Sequence, residues 1–216
     1  MTQGASVFDP FGDFESRGYL RNTFCEKDRR IVQRLEHAAY LAQIYDLVGT
    51  LRREKSIRYR TILNIHCQIF SSIYPWAGRD RSEHLCAIGK AGFDKLFAHP
   101  RDVQRASEHA LSLASDLQYL KNSPGEVFGF FAYAHPFLDG NGRTILTIYS
   151  ELCRRAGFFI RWPDIQKISF LHALTQELQY PSKGHLDTLV RSYIVERKLS
   201  VRKMVDHLTD NFERAD

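Results

Sequence analysis

The sequence predicts a mainly α-helical fold with one short β-hairpin. Apolar residues recur at helical spacing in one segment after another, and residues 80–98 break that pattern. The chain has 216 residues, of which 44% are hydrophobic, which is enough for one domain with a substantial core. We expect a helical bundle in three parts: an irregular arm over 1–26, a core over 27–165, and a helical extension of the same domain over 166–216.

Two helices are predicted before the hairpin. The first runs from Lys27 to about Val48 and ends at Gly49. Its apolar positions are Ile31, Leu35, Ala38, Ala39, Ala42, Tyr45 and Leu47. The second turns its isoleucines and Phe70 inward, and it stops before Pro75 because proline disfavours helix at the preceding residue. His66 lies on or beside that apolar face without a partner nearby in sequence, so we interpret it as a core residue.

Residues 80–98 are the predicted hairpin. Ile88 to Gly92 offer a flexible turn with short extended runs on either side, and the alternative is an ordinary loop with solvated lysines. One further helix is predicted from Pro100 to Leu120.

Two apolar helices flank residues 135–143. Ser123 is the predicted N-cap of the first, with Pro124 at its first position and Glu126 closing a capping box. The second carries apolar residues at helical spacing as far as Ala156 and is predicted to end at Gly157. Residues 135–143 therefore form a loop between two helices.

The last part of the chain is predicted from periodicity alone. An extended connection runs from Gly157 to Pro163, and Trp162 in it is predicted to be a core anchor. Three helices then follow, with a break at Tyr180-Pro181 between the first two. Their ranges are 163–178, 186–195 and 201–212.

The loop itself, HPFLDGNGR, combines a base, an acid, two glycines, an amide and a guanidinium. Gly140, Asn141 and Gly142 come just before a helix whose first N–H groups have no internal partners, and such an end attracts phosphate. The Asn141 side chain adds a donor, and Arg143 suits a forked grip on phosphate oxygens.

An acid and a base lie in the same loop. His135 is a candidate general base, and Asp139 is a candidate ligand for a phosphate-bound Mg²⁺. A single histidine or a single Gly-Asn-Gly is more often structural, but the combination at this spacing indicates a site.

The loop resembles the signature of Fic proteins, HPFx(D/E)GNGRxxR, and matches every signature position through Arg143. The resemblance implies a protein adenylyltransferase that moves AMP, or another nucleotide-derived group, from a donor such as ATP to a Ser, Thr or Tyr hydroxyl of a target protein. It implies that His135 deprotonates the hydroxyl and that Asp139 holds Mg²⁺. The residues that it places in nucleotide binding are Phe137, Gly140, Asn141, Gly142 and Arg143.

The resemblance extends to the hairpin, which in Fic proteins is a flap that covers the site and pairs with the target's backbone. The segment from Tyr74 to Arg79 resembles the lead-in to that flap. Lys90, Lys95 and Phe97 are the candidate functional residues of the flap. Lys95 and Phe97 precede Ala98-His99 much as in the family, and Lys95 is taken as a further nucleotide-binding candidate.

The chain departs from the signature at its last position. Three residues after Arg143 the family usually has a second Arg that reaches the γ-phosphate, and this chain has Leu146. Three explanations stay open: ATP bound with a weaker grip, a different donor such as a diphosphate-linked metabolite, or a degenerate site that acts as a nucleotide-binding regulatory module. A protein that binds partners through the hairpin alone is a further alternative.

Regulation is not fixed by the sequence. Many Fic proteins use an inhibitory helix with Ser/Thr-x-x-x-Glu, and two loose matches occur here, 192–196 and 209–213, which we interpret as solvated helix faces. The second is kept as an alternative inhibitory element, because some family members place theirs in the C-terminal helix. Control would then come from a partner antitoxin, from donor supply, or be absent. Removal of AMP is disfavoured because it relies on that glutamate in the family.

Composition limits the partners and the compartment. The formal charge of +5 and the pI of about 9.0 suit nucleotides and acidic partners without demanding nucleic acid. Four cysteines form no CxxC pair and no zinc pattern, which favours free thiols in a reducing compartment. No leader or membrane span is indicated, so a cytoplasmic protein is expected, although the secretion signals of host-directed effectors escape this test. The oligomeric state is not indicated.

Overall fold

The computed structural model describes residues 20–83, 85, 88 and 96–213, with side chains described as far as residue 210. The predicted mainly α-helical fold is confirmed. The helices of the described residues are α1 (Arg29–Arg53), α2 (Tyr59–Phe70), α3 (Val103–Ser115), α4 (Leu117–Asn122), α5 (Pro124–Ala134), α6 (Asn141–Ala156), α7 (Lys167–Gln179), α8 (His185–Val190) and α9 (Val201–Glu213). Most of the predicted arm (residues 1–19) and most of the predicted hairpin (84, 86, 87 and 89–95) lie outside the described residues.

Helix α6 is the centre of the bundle. Twelve of its sixteen residues are buried, and it packs against α1, α2, α4 and α5. A helix that is covered on nearly all sides needs partners for its polar groups. Tyr40 of α1 bonds to Thr147 over 2.9 Å, and the buried Glu151 accepts from Arg154 and Arg155.

Helix α1 differs from its prediction in both its length and its inward face. It continues through Gly49 to Arg53, where Arg155 of α6 donates to the backbone carbonyls of Leu51 and Glu54 over 2.7 Å each. The buried face consists of Val32, Glu36, Tyr40, Ile44, Leu47, Val48 and Leu51. Of the predicted apolar positions, Leu47 is buried, whereas Ile31 and Tyr45 are 41% and 61% exposed, so the predicted face was wrong in part.

The predicted single helix over 100–120 is divided in two. A 3₁₀ turn (Pro100–Asp102) leads into α3, and the chain leaves helical geometry at Asp116. The Asp116 carboxylate accepts the N–H groups of Gln118 and Tyr119 over 3.0 Å each. An N-cap aspartate therefore ends one helix and starts the next.

Helices α5 and α6 begin and end close to the predicted residues, but the predicted cap of α5 is wrong. Ser123 makes no capping bond from its side chain. The Asp187 carboxylate of α8 accepts the N–H groups of Gly125 and Glu126 over 2.9 and 3.0 Å. Glu126 bonds to the hydroxyls of Tyr119 and Ser182, so it closes no capping box with Ser123.

The C-terminal part begins with a short strand, β1 (Phe159–Ile160), which pairs antiparallel with β2 (Ile194–Val195). The predicted helix over 186–195 was wrong beyond Val190, because the chain turns there through a 3₁₀ segment into β2. A 3₁₀ turn at Trp162–Asp164 precedes α7, which begins at Lys167 instead of at Pro163. None of the described helices combines the length and the apolarity that a bilayer crossing requires.

Candidate active site

The loop between α5 and α6 is shaped by two residues with positive φ. His135 ends α5 at φ 39°, in the left-handed region, and Gly140 precedes α6 at φ 75°. A Cβ at residue 140 would lie 2.3 Å from Cε2 of Phe70. Glycine is therefore required at 140 by both backbone conformation and packing.

The His135 ring lies in the wall of a cavity of about 570 Å³. It stacks on the Phe97 ring, with 3.9 Å between the centroids. Burial, and next the positive charge of Arg81, lower the pKa of His135 to about 3, against a hydrogen bond to the Ala132 backbone that acts in the opposite direction. His135 is therefore a neutral imidazole at physiological pH, the form that accepts a proton.

Two predicted ligand-binding side chains brace the loop. The Asn141 amide accepts the N–H of Phe137 over 2.9 Å and donates to the carbonyl of Phe137 over 2.7 Å. The Phe137 ring is fully buried and stacks on His66, with 3.7 Å between the centroids. Both side chains are thus engaged within the protein, and their nucleotide-binding roles stay predictions.

The start of α6 is open. Gly142 is exposed, and among the described residues no heavy atom lies within 4 Å of the position that its Cβ would take. The first intrahelical bond runs from Thr144 N–H to the Gly140 carbonyl. The N–H groups of Gly142 and Arg143 precede that bond, so they are directed out of the helix end.

Asp139 is exposed at this end. Its Oδ1 accepts the N–H of Gly140 over 2.6 Å, and its backbone carbonyl contacts Nε2 of His66 over 3.1 Å. Within the described part of the chain no group of three or more His, Cys, Asp or Glu side chains could hold a metal ion. A nucleotide-bound Mg²⁺ needs only one or two carboxylates, because phosphates and water complete its shell, so one exposed carboxylate fits that ion.

Arg143 pairs with a carboxylate that the sequence did not indicate. Its Nη2 lies 2.9 Å from Oε2 of Glu36, and its guanidinium lies over the Phe70 ring at 4.8 Å. Glu36 is buried and accepts the Tyr74 hydroxyl over 2.7 Å. The helical spacing could have indicated Glu36, because it lies four residues from both Val32 and Tyr40 and therefore on the same face of α1, which is buried.

His66, interpreted as a core residue, is fully buried. Its Nδ1 accepts the N–H of Gly78 over 2.9 Å, which leaves Nε2 to donate to the carbonyl of Asp139. Burial lowers its pKa to about 3. His66 therefore supports the loop from beneath as a neutral side chain.

The cavity extends from the loop across to α7. Its walls are mainly apolar and include Phe128, Leu146, Trp162, Phe170 and Leu174. Leu146 is 6% exposed, so it lies both in the core face of α6 and in the cavity wall. Trp162 is buried as predicted, with Nε1 donating to Ser150 over 3.3 Å. The sequence reasoning missed the contribution of α7, which has no motif.

The remaining predicted elements lie elsewhere. Lys90 and Lys95 lie outside the described residues, whereas Phe97 is described and stacks on His135. Residues 192–196 span a 3₁₀ turn and β2, so they were wrongly interpreted as a helix face. Thr209 lies in α9 and donates to the carbonyl of Val205 over 2.7 Å.

Comparison with known proteins identifies this arrangement. Residues 56–153 match the model of the Fic/DOC family. They are a Fic/DOC domain. The matched range holds α2 to α5 and most of α6, with the whole loop from His135 to Arg143. Helix α1, which carries Glu36, and helix α7 lie outside it.

Two proteins that are similar to this chain come from Bartonella. "Protein adenylyltransferase VbhT" of Bartonella schoenbuchensis is 27% identical over 206 residues, which cover 92% of this chain and 41% of VbhT. The chain thus spans less than half the length of that relative. The N-terminal Fic domain of a VirB-translocated Bep effector protein of Bartonella quintana is 22% identical, with a TM-score of 0.68 over 82% of this chain and 89% of that one.

A second structure of such a Bartonella quintana Fic domain was solved with bound ADP. It is 20% identical, with a TM-score of 0.66 over 86% of this chain and 94% of that chain. At these identities the two structures establish the shared fold.

Proposed function

We propose that the chain transfers AMP, or a related nucleotidyl group, from a nucleotide donor to a hydroxyl side chain of a target protein. The observation that carries the proposal is the neutral His135 in the cavity wall, next to the open end of α6. Two relatives support it: VbhT bears the name protein adenylyltransferase, and a Fic domain of the same fold binds ADP.

In the proposed reaction His135 acts as general base. The ring nitrogen that is not bonded to the Ala132 backbone takes the proton of a Ser, Thr or Tyr hydroxyl. The hydroxyl oxygen forms a bond to the α-phosphorus of the donor, the bond from that phosphorus to the leaving diphosphate breaks, and the target keeps AMP. A histidine that was already protonated could not start this sequence, so its lowered pKa suits the role.

The developing phosphate charge would be met at the start of α6. The outward N–H groups of Gly142 and Arg143 and the helix dipole favour an anion there. The Arg143 guanidinium carries five N–H donors, so a phosphate can share it with Glu36. Asp139 would hold Mg²⁺, which when bound neutralises the donor's phosphate charge.

The nucleoside part of the donor would occupy the cavity. Phe128, Trp162 and Phe170 supply apolar and aromatic walls, and such walls bind a planar base through stacking and burial. The cavity opens next to His135, so in the proposed complex the base would lie on one side of the reacting phosphate and the helix end on the other.

The first test compares intact masses of target proteins after incubation with wild type and with His135→Ala. Each enzyme is given cell lysate, Mg²⁺ and one donor at a time: ATP, GTP, CTP, UTP or a diphosphate-linked metabolite. We expect a mass increase that depends on one donor and disappears with His135→Ala. The matched control is His37→Ala, a half-buried histidine of α1, which should retain activity. Equal activity of His135→Ala would refute the assignment.

The donor is a separate question, because Leu146 supplies no charge to a γ-phosphate. A missing charge-assisted contact weakens binding by roughly 1.5–3 kcal/mol. If ATP is the natural donor, Leu146→Arg should lower KM for ATP by roughly 10- to 100-fold, whereas the volume-conserving control Leu146→Met should leave KM unchanged.

A diphosphate-linked donor predicts a different pattern. In that case Leu146→Arg gains nothing with ATP and loses activity with its own donor, because a charge enters an apolar wall. A regulatory module would bind nucleotide in calorimetry, and no variant would modify a protein with any donor. Control by a partner antitoxin is proposed together with the transferase. Residues 192–196 do not form a helix, whereas residues 209–213 lie in α9 and are the alternative inhibitory element.

A further inference from the structure

Arg81 is a fully buried arginine beside the loop that carries His135. It follows the lead-in segment 74–79 and lies at the start of the predicted flap, residues 80–98. Burying a guanidinium is expensive unless its donors are satisfied. The groups that accept hydrogen bonds from Arg81 therefore indicate its structural role.

Arg81 donates hydrogen bonds to the backbone carbonyls of two successive residues, His135 and Pro136. Its Nε donates to the carbonyl of His135 over 2.7 Å, and its own backbone N–H donates to the carbonyl of Pro136 over 2.8 Å. His135 is at φ 39°, a conformation that costs a non-glycine residue free energy. The two bonds from Arg81 fix this corner and with it the direction of the imidazole.

The same guanidinium also fixes the far end of the predicted flap. Its Nη2 donates to the carbonyl of Ala98, and the Ala98 N–H donates to the carbonyl of Tyr133 in α5 over 2.8 Å. Ala98 follows Phe97, whose ring covers His135. One side chain thus ties together the start of the flap segment, its end, and the residue that it covers.

We propose that Arg81 is a positioning residue for the transfer reaction: it holds the His135 corner and the Phe97 cover in one fixed arrangement. This inference rests on the proposed function for its kinetic consequence, but the arrangement itself is measurable without any reaction. Arg81 touches backbone carbonyls and not the reacting atoms, so its effect passes through His135.

The charge of Arg81 gives a second, separable effect. It acts on the His135 imidazole and opposes protonation. Asp164 and Lys167 line the same cavity from the α7 side, and Ala132 of α5 bonds to His135. The variant Arg81→Lys would keep the positive charge but lose the planar set of guanidinium N–H donors, whereas Arg81→Met would lose both.

The experiment compares Arg81→Lys and Arg81→Met with wild type in the full chain. Arg79→Met is the matched control, since Arg79 lies two residues away, half exposed, and pairs with Glu83 at the surface. Folding is checked by circular dichroism, and all rates are taken at a temperature where the variants are folded. We expect Arg81→Lys to lower kcat by roughly 100-fold, as for a displaced catalytic group, with KM for the donor nearly unchanged and the Arg79→Met rates equal to wild type.

Nuclear magnetic resonance supplies the readouts that need no activity. In wild type we expect Overhauser contacts between the Phe97 and His135 rings and a neutral imidazole down to acidic pH. Arg81→Lys should lose the ring contacts but keep the positive charge that opposes protonation of His135, so its His135 pKa should lie below that of Arg81→Met. Arg81→Met should lose the contacts and also titrate at higher pH.

The outcomes separate the two hypotheses. A folded Arg81→Lys variant with wild-type kcat and intact ring contacts would overturn the positioning role. If Arg81→Met does not fold, Arg81→Lys decides. If wild type transfers nothing from any donor, the proposed function fails, and the ring contacts alone decide whether Arg81 sets the arrangement.

Discussion

Glu36 and Arg143 form an ion pair that is almost enclosed by the protein. Burial, and next the neighbouring Asp139, raise the pKa of Glu36, while Arg143 and the Tyr74 hydroxyl lower it. Because the partners lie 107 residues apart in sequence (143 − 36), the pair fixes α1 to the start of α6. Arg143 is thereby held at the helix end where the proposed reaction needs a cation.

Breaking this pair should be costly. Glu36→Ala leaves a guanidinium without its carboxylate in a buried place, and we expect the free energy of unfolding to fall by about 3–5 kcal/mol. Urea unfolding followed by circular dichroism measures the change. A loss below about 1 kcal/mol would mean that solvent reaches the pair.

The double variant Glu36→Met with Arg143→Met is the control for this explanation. It removes both charges together, so no buried charge is left unpaired, and apolar replacement of an ion pair is often close to neutral. We expect it to unfold at higher urea than Glu36→Ala. Its transferase activity should nevertheless be lost with Arg143.

Helices α5 and α8 are joined through a cap supplied by another part of the chain. Asp187 accepts two N–H groups at the start of α5, and a Cβ on Gly125 would lie 2.3 Å from the backbone nitrogen of Asp187. The helix that ends at His135 is therefore fixed at its other end by α8. Its orientation depends on this contact.

Asp187→Ala should free the start of α5 and lower the free energy of unfolding by about 2 kcal/mol, the upper range for a lost N-cap. Asp187→Asn keeps one acceptor and should lose less. Asp116→Ala removes the exposed cap of α4 and serves as comparison, with an expected loss of about 1 kcal/mol. Equal losses for Asp187→Ala and Asp116→Ala would show that the contact between α5 and α8 adds nothing.

These elements also show what local sequence can and cannot predict. Proline at 124 and glycine at 157 act on their own backbone, and the limits of α5 and α6 were predicted from them. The inward face of α1 was not predicted correctly. Glu36 lies on that face, and its burial is explained only by the ion pair with Arg143, which comes from a distant part of the chain. The prediction of the α5 cap was wrong for the same reason, since the capping residue, Asp187, belongs to another helix.

In the molecule as a whole, the loop from His135 to Arg143 was found because its residues are contiguous. The cavity, Glu36 and Arg81 come from other segments, and no spacing rule connects them to the loop. The mainly helical fold was predictable because periodicity recurs along most of the chain. The strand pair β1–β2 was not predictable, since a strand of two residues is too short to show an alternation of apolar and polar side chains.

The stability of the molecule should depend on pH through His135. Its pKa is about 3 in the folded state and about 6.5 when unfolded, so below pH 6.5 the unfolded chain binds a proton that the folded chain does not. Lower pH therefore favours unfolding. Between pH 7.5 and 5.5 we expect wild type to lose about 1.4 kcal/mol relative to His135→Gln.

Urea unfolding of both proteins at the two pH values measures this difference, and the other histidines cancel in the comparison. A difference that stays constant with pH would show that His135 is solvated in the folded protein. The same result would weaken its assignment as a neutral base.

Helix α1 lies before the stretch that matches the Fic/DOC family, yet Tyr40 and Glu36 in it satisfy Thr147 and Arg143 of α6. Residues 56–153 are consequently not a portable module. If these residues were expressed as a fragment or grafted into a chimaera, the Arg143 guanidinium would lose its partner Glu36, and the face of α6 that α1 covers would become exposed. A transplant that preserves the loop has to begin no later than Arg29.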